Sequence, residues 1–532
     1  MPSKPADTIT KVAFVGGGPT CVYLLKNLLQ RSGRYQITVF EAGKVAGCGI
    51  PYSEEFNTPE LLANITSVEI PPVLVSLADW VRAADAKMLR RFGIAREAVG
   101  DRDFYPRILL GAYYADQLVQ LIRAGEAAGH TIKVETETRV RDIAPEGDGS
   151  WLSIEADGKK TRRRFDKVVL TTGHLTDPGM TTRRSGLYRS PYPAQRLELG
   201  ADRAALILGS SLSAVDAAVA LAARYGRFTE SPALAYEPKG GKPLRLVMAS
   251  RKGVLPDADF FYPIPEEPLF IFTPARLEAL QAEGKTGLLD KCMTLFGQQL
   301  ASDDPGFLDA LSITQFTPEN FASAYFGMRQ EGRGFAAIRQ NLAESKRNQS
   351  KRHTVMWRYT MMRAHEVFGE IVPFLNAKDL ERFNRHLTPV FADAYGCVPH
   401  KSIERLLALH RAGCLDVVAL GDSGEIRYGA GAFRLTGVGP EQSFGTFIDA
   451  RGEDRLSLSE LGFEQLDEAL DVDDFLRRTE GDADGEQFRL PLRKEGGAEI
   501  FCLSIPVMMK RYPFAQGLVA CADAAGIVGR AI

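Results

Sequence analysis

The chain has 532 residues, enough for two to three domains and more than one typical domain needs. Its 65 basic and 67 acidic side chains leave a net charge of −2, so no cationic excess recommends nucleic acid as a partner. Hydrophobic residues make up 45%, which supports ordinary globular cores, yet no uninterrupted apolar stretch reaches the length of a membrane span.

The first residues, Met1-Pro2-Ser3-Lys4-Pro5-Ala6-Asp7, are polar and run straight into a strand. They leave no room for a signal peptide, and a cytoplasmic protein is expected. Val12 to Val15 is short and apolar, as a buried parallel strand should be. Gly16-Gly17-Gly18 then permits a tight turn and lets the backbone approach a pyrophosphate with no Cβ in the way. Pro19 suits the first helical position and Thr20 follows it; Cys21, Leu24, Leu25 and Leu28 then recur at the spacing of one helical face. The helix would turn its N-terminal amides and dipole toward the phosphates. Gln36 to Phe40 reads as the next strand, and Glu41 at its end can accept hydrogen bonds from ribose hydroxyls. Cys21 replaces the third glycine of the fingerprint and is still small enough for close helix packing.

A strand at Lys167–Leu170 and the turn Thr171-Thr172-Gly173-His174 close this first fold. A second turn follows the strand Ala205–Leu208, with Gly209-Ser210-Ser211-Leu212-Ser213-Ala214-Val215-Asp216 leading into a helix. Ser211 stands where a middle glycine is usual, so by itself this turn also fits an ordinary strand-to-helix connection. The next strand, Leu244–Ala249, ends at Ser250-Arg251-Lys252-Gly253. Arg251 and Lys252 occupy the place of a ribose-binding acid, which suits the 2′-phosphate of NADPH; the other reading is a solvated basic turn. Two dinucleotide turns imply two dinucleotides, and the common reason to hold both is electron traffic between a nicotinamide and a flavin.

From about 265 to 415 the pattern turns helical, and the tail then returns to strands, with Gly517 to Asp523 leading to a final helix from Ala524. The helical stretch concentrates Arg339, Lys346, Arg347, Lys351, Arg352, His353, Arg358 and Arg363, with Glu344 and Glu366 nearby. Such cations either clamp substrate carboxylates or coat a solvated helix face. Seven cysteines (21, 48, 292, 397, 414, 502 and 521) show neither a Cys-x-x-Cys pair nor metal-ligand spacing. Dithiol chemistry and a metal centre are therefore not expected, and Cys48 reads as a small packed residue. His174, His353, His365, His386, His400 and His410 offer no pattern that assigns an acid or base, so the catalytic residues stay unassigned. The expected fold class is α/β, with two Rossmann-like dinucleotide folds and a mainly helical insertion. Its expected divisions are 1–178 and 416–532 for FAD, 179–264 for NADPH and 265–415 for the insertion.

On these residues the chain resembles the two-dinucleotide FAD/NAD(P)-binding flavoproteins, and within them the N-hydroxylating flavin monooxygenases. The resemblance runs through both turns, Gly47-Cys48-Gly49-Ile50-Pro51-Tyr52, Leu61-Leu62-Ala63-Asn64-Ile65, and Phe104-Tyr105-Pro106-Arg107 with Gly111 and Tyr113. Asp166 to His174 is similar to the Asp-x-x-x-Leu-x-Thr-Gly-aromatic/His pattern of the N-hydroxylating enzymes. The Phe-x-Gly-x-x-x-His fingerprint of Baeyer–Villiger and related S- or N-oxygenating enzymes is absent, which counts against ketone oxidation. The resemblance implies FAD on the first fold and NADPH on the second. It places Asn64, Arg107, Thr172 and Gly173 near the cofactors and Asp523 on the ribityl chain. It also implies hydroxylation of the amine of a small amino acid by O2 through a flavin hydroperoxide. The basic insertion favours an aspartate-like substrate held by Arg352, Arg358 and Arg363. Three alternatives share the same motifs: a non-oxygenating FAD/NAD(P)H oxidoreductase, an oxygenase acting on sulfur or carbon, and a flavin-binding redox sensor without turnover. Neither nucleic acid nor membrane is expected as a partner, and oligomeric state is left open.

Overall fold

Strands that are apolar on both faces and linked through helices assemble most readily into a parallel sheet. The chain does this twice. The structure is a computed structural model that describes residues 9–173, 181–182, 186–230, 233–241, 243–429, 431–452, 456–471, 485–493 and 496–532. It divides into two units, the first made of residues 1–59, 65–176 and 454–532, the second of 60–64 and 177–453.

In the first unit β1 (Ile9–Val15), β2 (Arg34–Phe40) and β3 (Thr131–Glu135) lie parallel and side by side. A three-stranded antiparallel sheet follows: β4 (Thr138–Glu146), β5 (Gly149–Ala156) and β6 (Lys159–Phe165). The chain then enters β7 (Lys167–Leu170) on the other edge of β1, and a tail strand, Glu499–Cys502, pairs beyond it to complete five strands. Val12, Ala13, Phe14, Ile37, Val39, Val168 and Val169 are wholly buried, which is why these short runs are almost wholly apolar, with buried Thr38 as the exception. Val15 is in register with both Phe40 and Leu170, so the three strands end together.

The tail corrects one expectation. Gly517 to Asp523 is not a strand; it opens a helix, Gly517–Ala531. Leu518, Cys521, Ala525 and Val528 repeat at helical spacing and are buried. Gly529 lets this helix approach helix Pro19–Leu28 closely, since a Cβ there would lie 2.6 Å from the Asn27 Cβ.

The second unit holds β8 (Thr181–Thr182), β9 (Leu187–Tyr188), β10 (Ala204–Leu208) and the hairpin β11 (Gly226–Glu230) and β12 (Leu234–Pro238). It continues with β13 (Arg245–Ser250), β14 (Leu415–Ala419), the small sheet β15 (Glu425–Gly429), β16 (Ala432–Thr436) and β17 (Gln442–Phe444), and β18 (Thr446–Asp449). Its main sheet runs β14-β13-β10-β18-β9-β8, parallel except between β8 and β9. Leu208 is in register with Ala249 and Asp449, so here too a central strand ends level with both neighbours. The helices between Pro274 and Arg411 belong to this unit and enclose Phe272, Phe296, Phe321, Phe368 and Phe391, all fully buried. Among the described residues no helix is long and apolar enough to cross a membrane.

Candidate dinucleotide sites

In an open parallel sheet, ligands bind beyond the carboxyl ends of the strands. At that edge of the first unit stand Gly16 after β1, Glu41 after β2 and Thr171-Thr172-Gly173 after β7. Gly16 takes φ +107°, and a side chain there would collide with the Thr171 carbonyl, so the position requires glycine. The Thr171 hydroxyl donates to the Gly16 carbonyl at 2.6 Å, tying the turn to the end of β7. Sequence reading passed over Thr171, although it lies inside the motif that nominated Thr172 and Gly173.

Glu41 is held in place by the backbone. Its Oε2 accepts the Gly17 amide at 2.9 Å and its Oε1 the Gly43 amide at 2.6 Å. Each carboxylate oxygen can accept a further bond, so the capacity to take ribose hydroxyls survives. Pro19 occupies the first turn of helix Pro19–Leu28, whose N-terminus at Gly18 receives no side-chain cap. Its leading amides are thus open to an anion. Gly47 (φ +97°) and Gly111 allow the loop carrying Cys48 and Gly49 to lie against helix Arg107–Ala127; a Cβ on Gly47 would come within 2.5 Å of the Ala115 Cα. Burial pushes the Cys48 thiol up to about 11, which leaves a packed neutral thiol and not a nucleophile.

The other expected contacts of this unit divide. Among the described residues Thr172 Oγ1 is buried without a hydrogen-bond partner, a polar atom left for a ligand to satisfy. Together with the glycine cradle and the uncapped helix, it makes this crevice fit a dinucleotide pyrophosphate. Gly173 takes φ +59° and its carbonyl accepts from Ser504. Arg107 is the first residue of its helix. Thr20 is buried and hydrogen-bonded to Cys521. Asp523 lies on the terminal helix and lines a cavity with Lys26 and Asn27. Those two residues sit roughly 10–12 Å along their helix from Pro19, away from the phosphate-facing end. Asn64 belongs to the second unit, where its Oδ1 is buried and unpartnered among the described residues. His174 lies outside the described residues.

The second unit repeats the arrangement. Gly209 takes φ +124° after β10, and a Cβ there would sit 2.7 Å from the Ala450 carbonyl oxygen. Ser211 is the N-cap of helix Leu212–Tyr225, makes no side-chain cap bond and is exposed, with Ser213 half-buried in the first turn. Ser210 Oγ bonds the Val254 carbonyl at 2.6 Å and Ser250 Oγ at 2.8 Å, locking this turn to the end of β13. Arg251 and Lys252 have different surroundings. The Arg251 side chain is 80% exposed and paired loosely with Asp422 at 3.5 Å. Lys252 is half-buried, with Nζ 2.9 Å from the centre of the Phe326 ring, and burial lowers its pKa to about 8. At the end of β18 the Asp449–Arg451 ion pair borders the same edge. Some 240 residues of chain separate it from Gly209, so no local pattern could nominate it.

The basic helical stretch does not form one cluster. Arg352 caps its helix with φ +51° and is exposed. Arg363 pairs with Glu366 at 2.7 Å. Arg358 binds Asp257 at 2.6 Å, and Asp257 also takes Arg329 at 2.8 Å. Arg329 in turn reaches Asp393, which accepts the Tyr325 hydroxyl. Arg339, Lys346, Arg347, Lys351 and His353 are exposed. Among the described residues no group of acids, cysteines and histidines could hold a metal ion.

Residues 13–175 match the model of a family described as FAD-NAD(P)-binding, and residues 273–395 match one described as a YdhS-like middle domain. Over 528 residues the chain is 35% identical to the protein YdhS of Escherichia coli (strain K12), spanning 98% of this chain and 97% of that one. Among solved structures, ornithine hydroxylase (PvdA) of Pseudomonas aeruginosa matches with 13% identity and TM-score 0.49, over 98% of both chains. The ornithine N-hydroxylase of Kutzneria sp. 744 matches with 12% identity and TM-score 0.47, again over 98% of both.

Proposed function

This chain belongs to the family of Escherichia coli YdhS, and we propose that it is an FAD-dependent, NADPH-using monooxygenase that hydroxylates the amine nitrogen of a small amino acid. The observation that carries this reading is the duplication of one crevice: a glycine forced to positive φ, an uncapped helix N-terminus and a hydroxyl at the end of the neighbouring strand (Thr171 and Ser250) occur at Gly16 and again at Gly209. One dinucleotide site serves many chemistries; two in one chain favour hydride passing from a nicotinamide to a flavin. Bound FAD would supply the electron store between NADPH and O2.

The chain's own residues divide the remaining work. Glu41 would hold the ribose and the amides after Gly18 the pyrophosphate of the first dinucleotide, with the Thr172 hydroxyl offered to the same molecule. Arg251 reads the 2′-phosphate of the second. An amine must be neutral to attack oxygen, so the substrate pocket has to exclude water. An aspartate-like substrate draws its support from Arg352, because Arg358 is already paired with Asp257 and Arg363 with Glu366. The test is a spectrum of FAD-loaded protein reduced anaerobically by NADPH, then reoxidised with aspartate, ornithine, lysine and other amino acids, with products read by mass spectrometry. Hydroxylated amine from one substrate supports the proposal. Stoichiometric hydrogen peroxide with every amine would replace it with a non-oxygenating oxidoreductase, and failure of NADPH to reduce the flavin would leave a binding protein.

A further inference from the structure

The opposite end of the first sheet carries a second concentration of charge. Lys11, Gln36 and Thr131 face one another across β1, β2 and β3, because Lys11 is in register with Gln36 and Gln36 with Thr131. Lys133 lies two residues beyond Thr131, hence on the same face of its strand. With Arg163 and Arg164 of β6 these side chains line a cavity of about 480 Å³. Lys11 precedes Gly16 by five residues along an extended strand, which places the cavity roughly 16 Å from the dinucleotide turn.

The cavity is cationic, and the carboxylates around it offset its charge only in part. Among the described residues no acidic side chain lines it. Glu135 takes Lys133 at 2.7 Å and Arg163 Nη1 at 2.8 Å, and Asp148 takes Arg164 at the rim. Asp166 accepts the Lys11 backbone amide, which leaves the ammonium of Lys11 unspent on that contact. Four cations therefore meet three carboxylates, of which Glu135 is shared by two cations and Asp166 is engaged by the Lys11 amide. Arg163 lies with its guanidinium carbon 4.8 Å from the Phe40 ring centre, and its Nε and Nη2 are buried without hydrogen-bond partners among the described residues. Buried donors are normally satisfied. Charged residues on an edge strand such as β6 guard against unwanted pairing, which accounts for exposed Lys159, Lys160 and Arg162. That explanation does not extend to Lys11 and Lys133, cations from two further strands that converge on the same concavity.

We propose that this cavity is an anion site, separate from both dinucleotide crevices, for a small molecule bearing two or more phosphate charges. Guanidinium groups suit phosphate oxygens by bidentate hydrogen bonding, ammonium groups add charge, and Gln36 and Thr131 supply neutral polar contacts. Pyrophosphate is the probe. It is titrated calorimetrically into protein already saturated with FAD and NADP+, so that neither dinucleotide crevice competes for it. Saturable binding is expected, weakening as salt is raised. Lys133→Gln and Arg164→Gln should each weaken it about tenfold with unchanged melting temperature, while Arg251→Ala leaves it unaltered. No heat of binding in the saturated protein would overturn the proposal. So would an affinity that survives the Lys133→Gln/Arg164→Gln double variant, or one abolished by Arg251→Ala, which would place the probe in the second crevice.

Discussion

At Gly16 the backbone conformation and the available space exclude a side chain for independent reasons: φ is +107° and the Thr171 carbonyl occupies the place of a Cβ. Gly18, by contrast, has only the Gly49 Cα within 3.3 Å, so its bareness serves approach by a ligand more than the fold. Gly16→Ala should therefore cost flavin retention through a displaced turn, with FAD affinity falling about tenfold or more. The flavin-to-protein absorbance ratio after gel filtration reads this directly, and a fully loaded variant would remove the first turn as the FAD site. Lys252 makes a different kind of prediction. Burial holds its folded-state pKa near about 8, against an ordinary 10.5. Below that window both folded and unfolded chains carry the proton, and the folded state bears the full cost of a poorly solvated charge. As pH rises from about 8 toward 10.5 the folded lysine is already neutral while the unfolded one remains charged, so this contribution to stability improves. Thermal melts across that range should show Lys252→Met more stable than wild type at the low end and the difference closing at the high end. A constant difference would mean the amine titrates normally. Sequence could not separate Lys252 from Arg251: both are cations after the same strand, and only the helix carrying Phe326 distinguishes them.

The elements that proved legible are those whose sequence pattern fits only one structure. Val12 to Val15 followed by three glycines and a proline reads as strand, turn and helix because each residue type is costly in the alternatives. The tail shows the converse. Leu518-Val519-Ala520-Cys521-Ala522 is apolar and short, and such a run fits a buried strand and a buried helix equally well until its packing partner is known. Helix Pro19–Leu28 settles it by offering Asn27 and Leu28 to Gly529. The helical region hid its charges in the same way. Asp257 follows β13 by several residues, and nothing local indicates that Arg329 and Arg358 will meet on its carboxylate with 8% of its side chain exposed. Burial alone would raise the Asp257 pKa, yet the Arg358 and Arg329 charges hold it below the usual carboxylate range. Asp257→Ala leaves two guanidinium groups buried and mutually repelling, with an expected loss of about 3–5 kcal/mol. Urea unfolding should show that loss as a lowered midpoint, and Asp257→Leu combined with Arg358→Met should recover part of it. A single variant as stable as wild type would show the network to be dispensable.

Across the whole molecule, the sequence leads one to expect a first nucleotide fold that is interrupted and returns in the tail. The first unit is assembled from three stretches of chain and the second borrows residues 60–64, so contiguous divisions of sequence describe neither. Duplicated crevices have a consequence that neither crevice has alone: the two cofactor loads should be separable by single substitutions. Gly209→Val would press against the Ala450 carbonyl, 2.7 Å from a Cβ, and disturb only the second turn. Such protein should remain yellow and fully loaded with FAD and be reduced normally by dithionite, while NADPH reduces it slowly. Arg251→Ala refines the same experiment. Losing one charge-assisted phosphate contact of about 1.5–3 kcal/mol should weaken NADPH by roughly 10- to 100-fold and leave NADH almost unaffected. Because the side chain is 80% exposed and its ion pair among the described residues is with the similarly exposed Asp422 at 3.5 Å, its removal should not disturb β13, and melting temperature serves as the control. Anaerobic stopped-flow reduction with each nicotinamide measures the ratio. Equal losses for NADPH and NADH would assign Arg251 to the architecture of the turn. Unchanged rates for both would move the 2′-phosphate to another cation, with Arg451 at the end of β18 the next to test.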